Sequence, residues 1–337
     1  MTLRLSVLDQ SVALEGQCED TAIRDTLSLA EHAEALGYER FWLSEHHGLP
    51  TIVGSAPEVL MAAVAARTRR IRIGSAGVML THYSALKVAE QFRVLEALAP
   101  GRIDLGVGRA PGGEMRFARA LNPNAHHAAE QFPEQVLDLQ AWTSLPAHHG
   151  LTAHPRGATS PTLWILGSSD YGAQLAAHLG LPYAFAYFFM DGQGVERALS
   201  LYRELYRPSE RHPKPQATIC VWALAAERAD EARHHALSRD HWRLDRQRGV
   251  LGPLRDPAVL AAKGFRPEDD ASLAALRAKA FVGEAGEVAT RLRVLAAELQ
   301  LDELVINTWA FDPAVRRRSY ALLAREFGLE ARVAACN

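Results

Sequence analysis

The chain has little cysteine: three in 337 residues, Cys18, Cys220 and Cys336, far apart and without a CxxC spacing. That excludes a disulfide framework and a cysteine-type zinc site, and implies a reducing compartment. Excess charge of either sign is also missing. A formal net charge of -2 leaves no basic field for nucleic acid or an anionic membrane, so the expected partner is a small-molecule substrate. Long apolar runs are absent as well. The amino terminus shows no signal-peptide core, and no stretch approaches the roughly 18 apolar residues that cross a bilayer. The expectation is a soluble cytoplasmic protein.

What the chain does have is alternation. Short β-type runs at 3–8, 41–44, 71–76, 103–107, 163–166, 183–187, 218–224 and 304–307 are each followed by a helical pattern, including one over 228–243 after the seventh run. Eight such units favour a closed α/β barrel, the (β/α)8 TIM barrel, over an open doubly wound sheet, because right-handed crossovers curl eight parallel strands until they meet. No linker divides the chain, so a single domain over 1–337 is expected. Its extra length falls at about 111–161 and 250–283, after strands and therefore on the C-terminal, catalytic face.

The strand tips carry the chemistry. Phe41-Trp42-Leu43-Ser44 runs directly into Glu45-His46-His47, an acid and two imidazoles where a buried strand ends. A histidine near neutral pKa can take and return a proton while a carboxylate fixes its tautomer; a polar cluster capping a loop fits the same letters. No metal is expected here. Adjacent histidines are poorer chelators than HxH or HExxH spacings, and the chain has further pairs at His126-His127, His148-His149 and His234-His235.

Gly74-Ser75-Ala76-Gly77 would let a flat ring approach the backbone, or would serve close helix packing. Gly106-Val107-Gly108-Arg109-Ala110-Pro111-Gly112-Gly113 has the wrong spacing for a dinucleotide fingerprint, but Arg109 is a permanent cation suited to phosphate. Leu166-Gly167-Ser168-Ser169-Asp170-Tyr171-Gly172 reads as strand, hydroxyls and helix start, either an anion cradle or a plain N-cap. Met79, Phe188, Phe189, Trp222 and Trp309 are candidates for the wall of a ring pocket or for core.

Taken together these motifs resemble the bacterial luciferase-like flavin monooxygenases, in their single-chain oxidoreductase branch, over nearly the whole chain. The resemblance implies a barrel that binds FMN at the carboxyl ends of its strands. Residue by residue, it makes Glu45 and His46 the catalytic acid and histidine. Ala76 and Gly77 become a flavin-contacting pair joined by a non-proline cis peptide, and Arg109 and Ser169 become phosphate contacts; Met79, Ser168 and Gly172 are expected to bind the cofactor beside them. The chain departs from luciferase at Ser168 (acidic there), Gly108 (a reactive thiol) and Gly172 (a phosphate-binding threonine). A second phosphate arginine has no counterpart in Asn122-Pro123-Asn124-Ala125-His126-His127, so light emission is not implied. The implied activity is oxygenation of a small organic substrate with O2 and reduced FMN delivered by a separate flavin reductase, from a homodimer. A deazaflavin-dependent hydride transfer and a flavin-binding protein without turnover are the alternatives.

Overall fold

The computed structural model describes residues 3–110, 115–189 and 191–330; Cys336 and Pro111 to Gly113 lie outside them. Its strands are β1 (Arg4–Asp9), β2 (Arg40–Leu43), β3 (Arg72–Met79), β4 (Ile103–Gly108), β5 (Thr162–Gly167), β6 (Tyr183–Phe185), β7 (Ala217–Ala226), β8 (Phe281–Glu284) and β9 (Glu303–Asn307). All pairings between them are parallel. β1 to β7 follow one another around a ring, and β9 closes it between β7 and β1. The eight expected strands are the staves of this TIM barrel. They read as near-continuous apolar runs because both faces are covered, as in β2, where Arg40 to Leu43 are all buried.

Helices Glu19–Ala35, Pro57–Arg67, Ala85–Leu98, Phe132–Ser144, Asp170–Leu179, Val195–Glu204, Ala285–Glu298 and Pro313–Phe327 alternate with the staves, and the main core lies between the two layers. The seventh unit differs from the sequence expectation. Strand β7 runs ten residues, and Ala223 to Ala226 pair with β8 as well as belonging to the barrel strand. The chain then makes an excursion in which helix Ala229–Gln247 packs on β7 and β8, and returns through Ala285–Glu298. The helix expected at 228–243 therefore belongs to this excursion. The segment 111–161 also divides: helices Met115–Leu121 and Ala125–Glu130 follow β4, Phe132–Ser144 packs on Ala85–Leu98, and 145–161 leads back to the start of β5.

Inside the barrel, side chains form layers. Ser6, Arg40, Asp104 and Glu303 make a buried polar layer in which Arg40 bonds Glu303 Oε1 at 2.7 Å and Asp104 Oδ2 at 2.8 Å. Burial opposes the Asp104 charge, yet Arg40 and Arg72 hold its carboxyl below the ordinary value. Above lies an apolar floor of Leu8, Trp42, Trp164, Ala184, Cys220 and Val305, with the two indoles edge to face at 5.1 Å.

Pairing of β3 with β4 slips by one residue between Ser75 and Val78, a bulge at Ala76-Gly77. The Ser75 hydroxyl fills the broken ladder, donating to Gly106 O at 2.9 Å and accepting from Gly106 N at 3.0 Å. A Cβ on Gly106 would stand 2.2 Å from Ser75 O, which is backbone and can yield only by moving the strand. Gly106→Ala is thus expected to destabilise the fold by about 2 kcal/mol, seen as a lower urea midpoint with unchanged slope.

Candidate active site

A cavity of about 810 Å³ opens at the carboxyl ends of the strands, on the apolar floor. It brings together Glu45, His46, Ala76, Gly77, Met79, Arg109, Ser168, Ser169 and Gly172, all the residues expected to be catalytic or to bind the cofactor, from strands β2 to β5 and the segments that follow them.

At one end lies His46. Its Nδ1 is 3.1 Å from Ser44 Oγ, and its backbone N–H donates to Gly54 O at 3.0 Å. Burial pushes the imidazole down to about 4, with His47 and Arg246 lowering it further and Glu45 opposing. The ring is neutral at pH 7. Glu45 acts differently from the sequence expectation of a carboxylate that fixes the tautomer of His46. Its buried oxygens accept from Met79 N at 2.9 Å, Tyr83 Oη at 2.6 Å and His47 Nε2 at 2.8 Å, so it ties the end of β3 to the end of β2. Glu45→Ala strands these donors and is expected to cost about 3 kcal/mol in chemical unfolding, whereas Glu45→Gln loses less because the amide keeps an acceptor.

At the other end, β5 runs through Ser168 into helix Asp170–Leu179 with Ser169 at the N-cap. The Ser169 side chain makes no capping bond, so the N-cap alternative is not what occupies this hydroxyl. Asp170, the acid of the first turn, is turned onto Arg197 at 2.8 Å. The Arg109 guanidinium lies 3.9 Å over the Tyr171 ring, and no carboxylate pairs with it among the described residues. First-turn N–H groups, the Ser169 hydroxyl and a cation are groups that could hold an anion. Gly172 lines this end while packing against Tyr183.

The Ala76–Gly77 peptide is cis, and both residues line the cavity between the two ends. Gly74 serves packing instead, since a Cβ there would meet the Trp42 ring at 2.6 Å. Met79, Phe188 and Phe189 are wall, but Trp222 and Trp309 belong to a separate cluster under the excursion. The turn carrying Phe188 and Phe189 is held from above by Asp191, bonded twice to Arg243 at 2.7 Å.

Sequence reasoning missed Gln10 and Ser44. Gln10 Oε1 accepts from Asn307 Nδ2 at 2.6 Å and Trp309 Nε1 at 3.1 Å, and its NH2 has no partner among the described residues. Its position just after β1 was the available signal. The cavity has room for a group the size of FMN, with Arg109, Ser169 and a helix N-terminus available to an anionic end and the small residues of the β3 bulge available to a flat ring.

The pattern of the luciferase-like monooxygenases matches residues 3–303. YwcH of Bacillus subtilis is 41% identical over 329 residues, covering 96% of this chain and 98% of that protein. The N-acetyl-S-alkylcysteine monooxygenase of the same organism is 36% identical over 334 residues, covering 96% and 97%. The crystal structure of apo-MsnO8 superposes with a TM-score of 0.92 at 34% identity, covering 98% of this chain and all of that one. Two structures at 16% identity share the barrel: the oxygenating constituent of 3,6-diketocamphane monooxygenase from Pseudomonas putida, in complex with FMN (TM-score 0.72), and an F420-dependent secondary alcohol dehydrogenase (TM-score 0.68). The strand-tip geometry and these likenesses agree: the chain is an enzyme of the luciferase-like monooxygenase family.

Proposed function

We propose that this enzyme takes reduced FMN from a separate flavin reductase and uses O2 to oxygenate a small, largely apolar organic substrate. The observation that carries this reading is the cavity's two-ended design, with Arg109, Ser169 and a helix N-terminus at one end and a desolvated neutral His46 at the other. Reduced flavin supplies two electrons, so that one oxygen atom enters the substrate and the other leaves as water. The chain's own part is to hold the phosphate, exclude water with Phe132, Phe185, Phe188 and Phe189, and move a proton at the free ring nitrogen of His46.

Ser169 and Arg109 would hold the phosphate, with Ser168 and Gly172 beside them; Ala76, Gly77 and Met79 would face the ring. Glu45 is a positioning residue in this scheme. We place the enzyme in the cytoplasm, where Cys18 and Cys220, both free, stay reduced. We also read it as a homodimer joined through helices Pro57–Arg67 and Ala85–Leu98, whose Val59, Val94 and Leu98 are exposed by 64%, 48% and 58%.

Anaerobic titration tests the cofactor. Reduced FMN is expected to bind with one equivalent per chain and, on admission of air with a suitable substrate, to give oxygenated product. Tight binding of a reduced deazaflavin instead, with turnover independent of oxygen, would overturn the proposal.

A further inference from the structure

We propose that Asp138, His148 and His149 form a binding site for a divalent transition-metal ion of the zinc type, outside the cavity. Asp138 lies on helix Phe132–Ser144, and the two histidines sit in the connection that leads from that helix to the start of β5. Adjacent histidines on an extended backbone point apart and chelate poorly. Here the backbone is not extended. His149 adopts φ 49° and Gly150 φ 73°, which turns both imidazoles to one side with their centroids 3.9 Å apart.

Both Nε2 atoms converge on one oxygen, Asp138 Oδ1, at 2.7 Å from His148 and 3.3 Å from His149. The three candidate ligand atoms lie within 4.8 Å of one another. A tetrahedral zinc ion with bonds of about 2.0 to 2.1 Å keeps its ligands about 3.3 Å apart, so a small opening of the His148 contact seats it, and water completes the shell. Two imidazoles and one carboxylate suit Zn(II), Co(II) or Ni(II) better than Mg(II) or Ca(II).

The turn is also fixed independently of the cluster. His148 exchanges backbone bonds with Leu151 at 2.9 Å each way, and Trp142 Nε1 donates to His148 O at 3.2 Å. The Trp142 ring stands edge-on to both imidazoles, at 5.3 and 6.4 Å. Such support orients ligands before the ion arrives. An ion held there would fasten the helix to the connection, stabilising the fold without entering the chemistry of the cavity.

The test uses untagged protein. Zn(II) in calorimetry and Co(II) in visible absorption are expected to report one ion per chain, with Zn(II) raising the melting temperature. His148→Ala and His149→Ala should each weaken binding by about tenfold or more. His149→Gln, which keeps the size of the side chain, guards against a folding defect, checked by circular dichroism without metal. Unchanged Zn(II) affinity and stoichiometry in the His148→Ala/His149→Ala double variant would sink the assignment.

Discussion

Arg109→Ala is expected to weaken reduced FMN by about thirty- to a hundredfold while leaving riboflavin, which has no phosphate, nearly unaffected. The size follows from losing a charge-assisted contact worth about 2 to 3 kcal/mol, at roughly 1.4 kcal/mol per factor of ten. The contrast between the two flavins separates phosphate recognition from general damage, because a collapsed cavity would lose both ligands equally. Arg109→Lys should recover only part of the affinity, since a point charge lacks the planar fork and the stacking on Tyr171. Equal losses for FMN and riboflavin would show that the phosphate lies elsewhere.

The second large effect is at His46. His46→Ala is expected to lower turnover by about a hundredfold or more with FMN affinity retained, so that reduced flavin is consumed by oxygen without product. The pH profile should carry the signature of the desolvated ring. Because burial pushes this imidazole to about 4, the neutral form persists through pH 6, and activity should fall only as pH approaches that value. The same shift acts on stability. Between the ordinary value near 6.5 and about 4, the unfolded chain binds a proton that the folded chain refuses, so stability present above 6.5 is lost as pH falls through this window. An activity inflection near 6.5 that His46→Ala abolishes would mean that the ring is far more hydrated than its surroundings suggest.

The eight staves were legible because strands covered on both faces must be apolar throughout, and Phe41 to Leu43 or Leu163 to Ile165 show this in the letters themselves. β8 was not. Its four residues, Phe-Val-Gly-Glu, carry too little pattern, and what makes them a strand is the overhang of β7, a property of strand length in space. The residues that gather at the cavity were legible as positions and less so as partnerships. Glu45 and His46 are sequence neighbours, yet one is committed to Met79, Tyr83 and His47 and the other to Ser44, because adjacent residues leave the strand in different directions. Trp222 follows Cys220 on the same strand, and the register that seats Cys220 on the floor carries the indole up beside Asn307, out of the cavity.

The overhanging end of β7 gives this barrel a division of labour. The residues proposed to grip the cofactor all leave β2 to β5, whereas the turn bearing Phe188 and Phe189 is anchored to the excursion by the Arg243–Asp191 fork. None of residues 228–284 lines the cavity, so exchanging them between relatives would reshape its wall only through that fork.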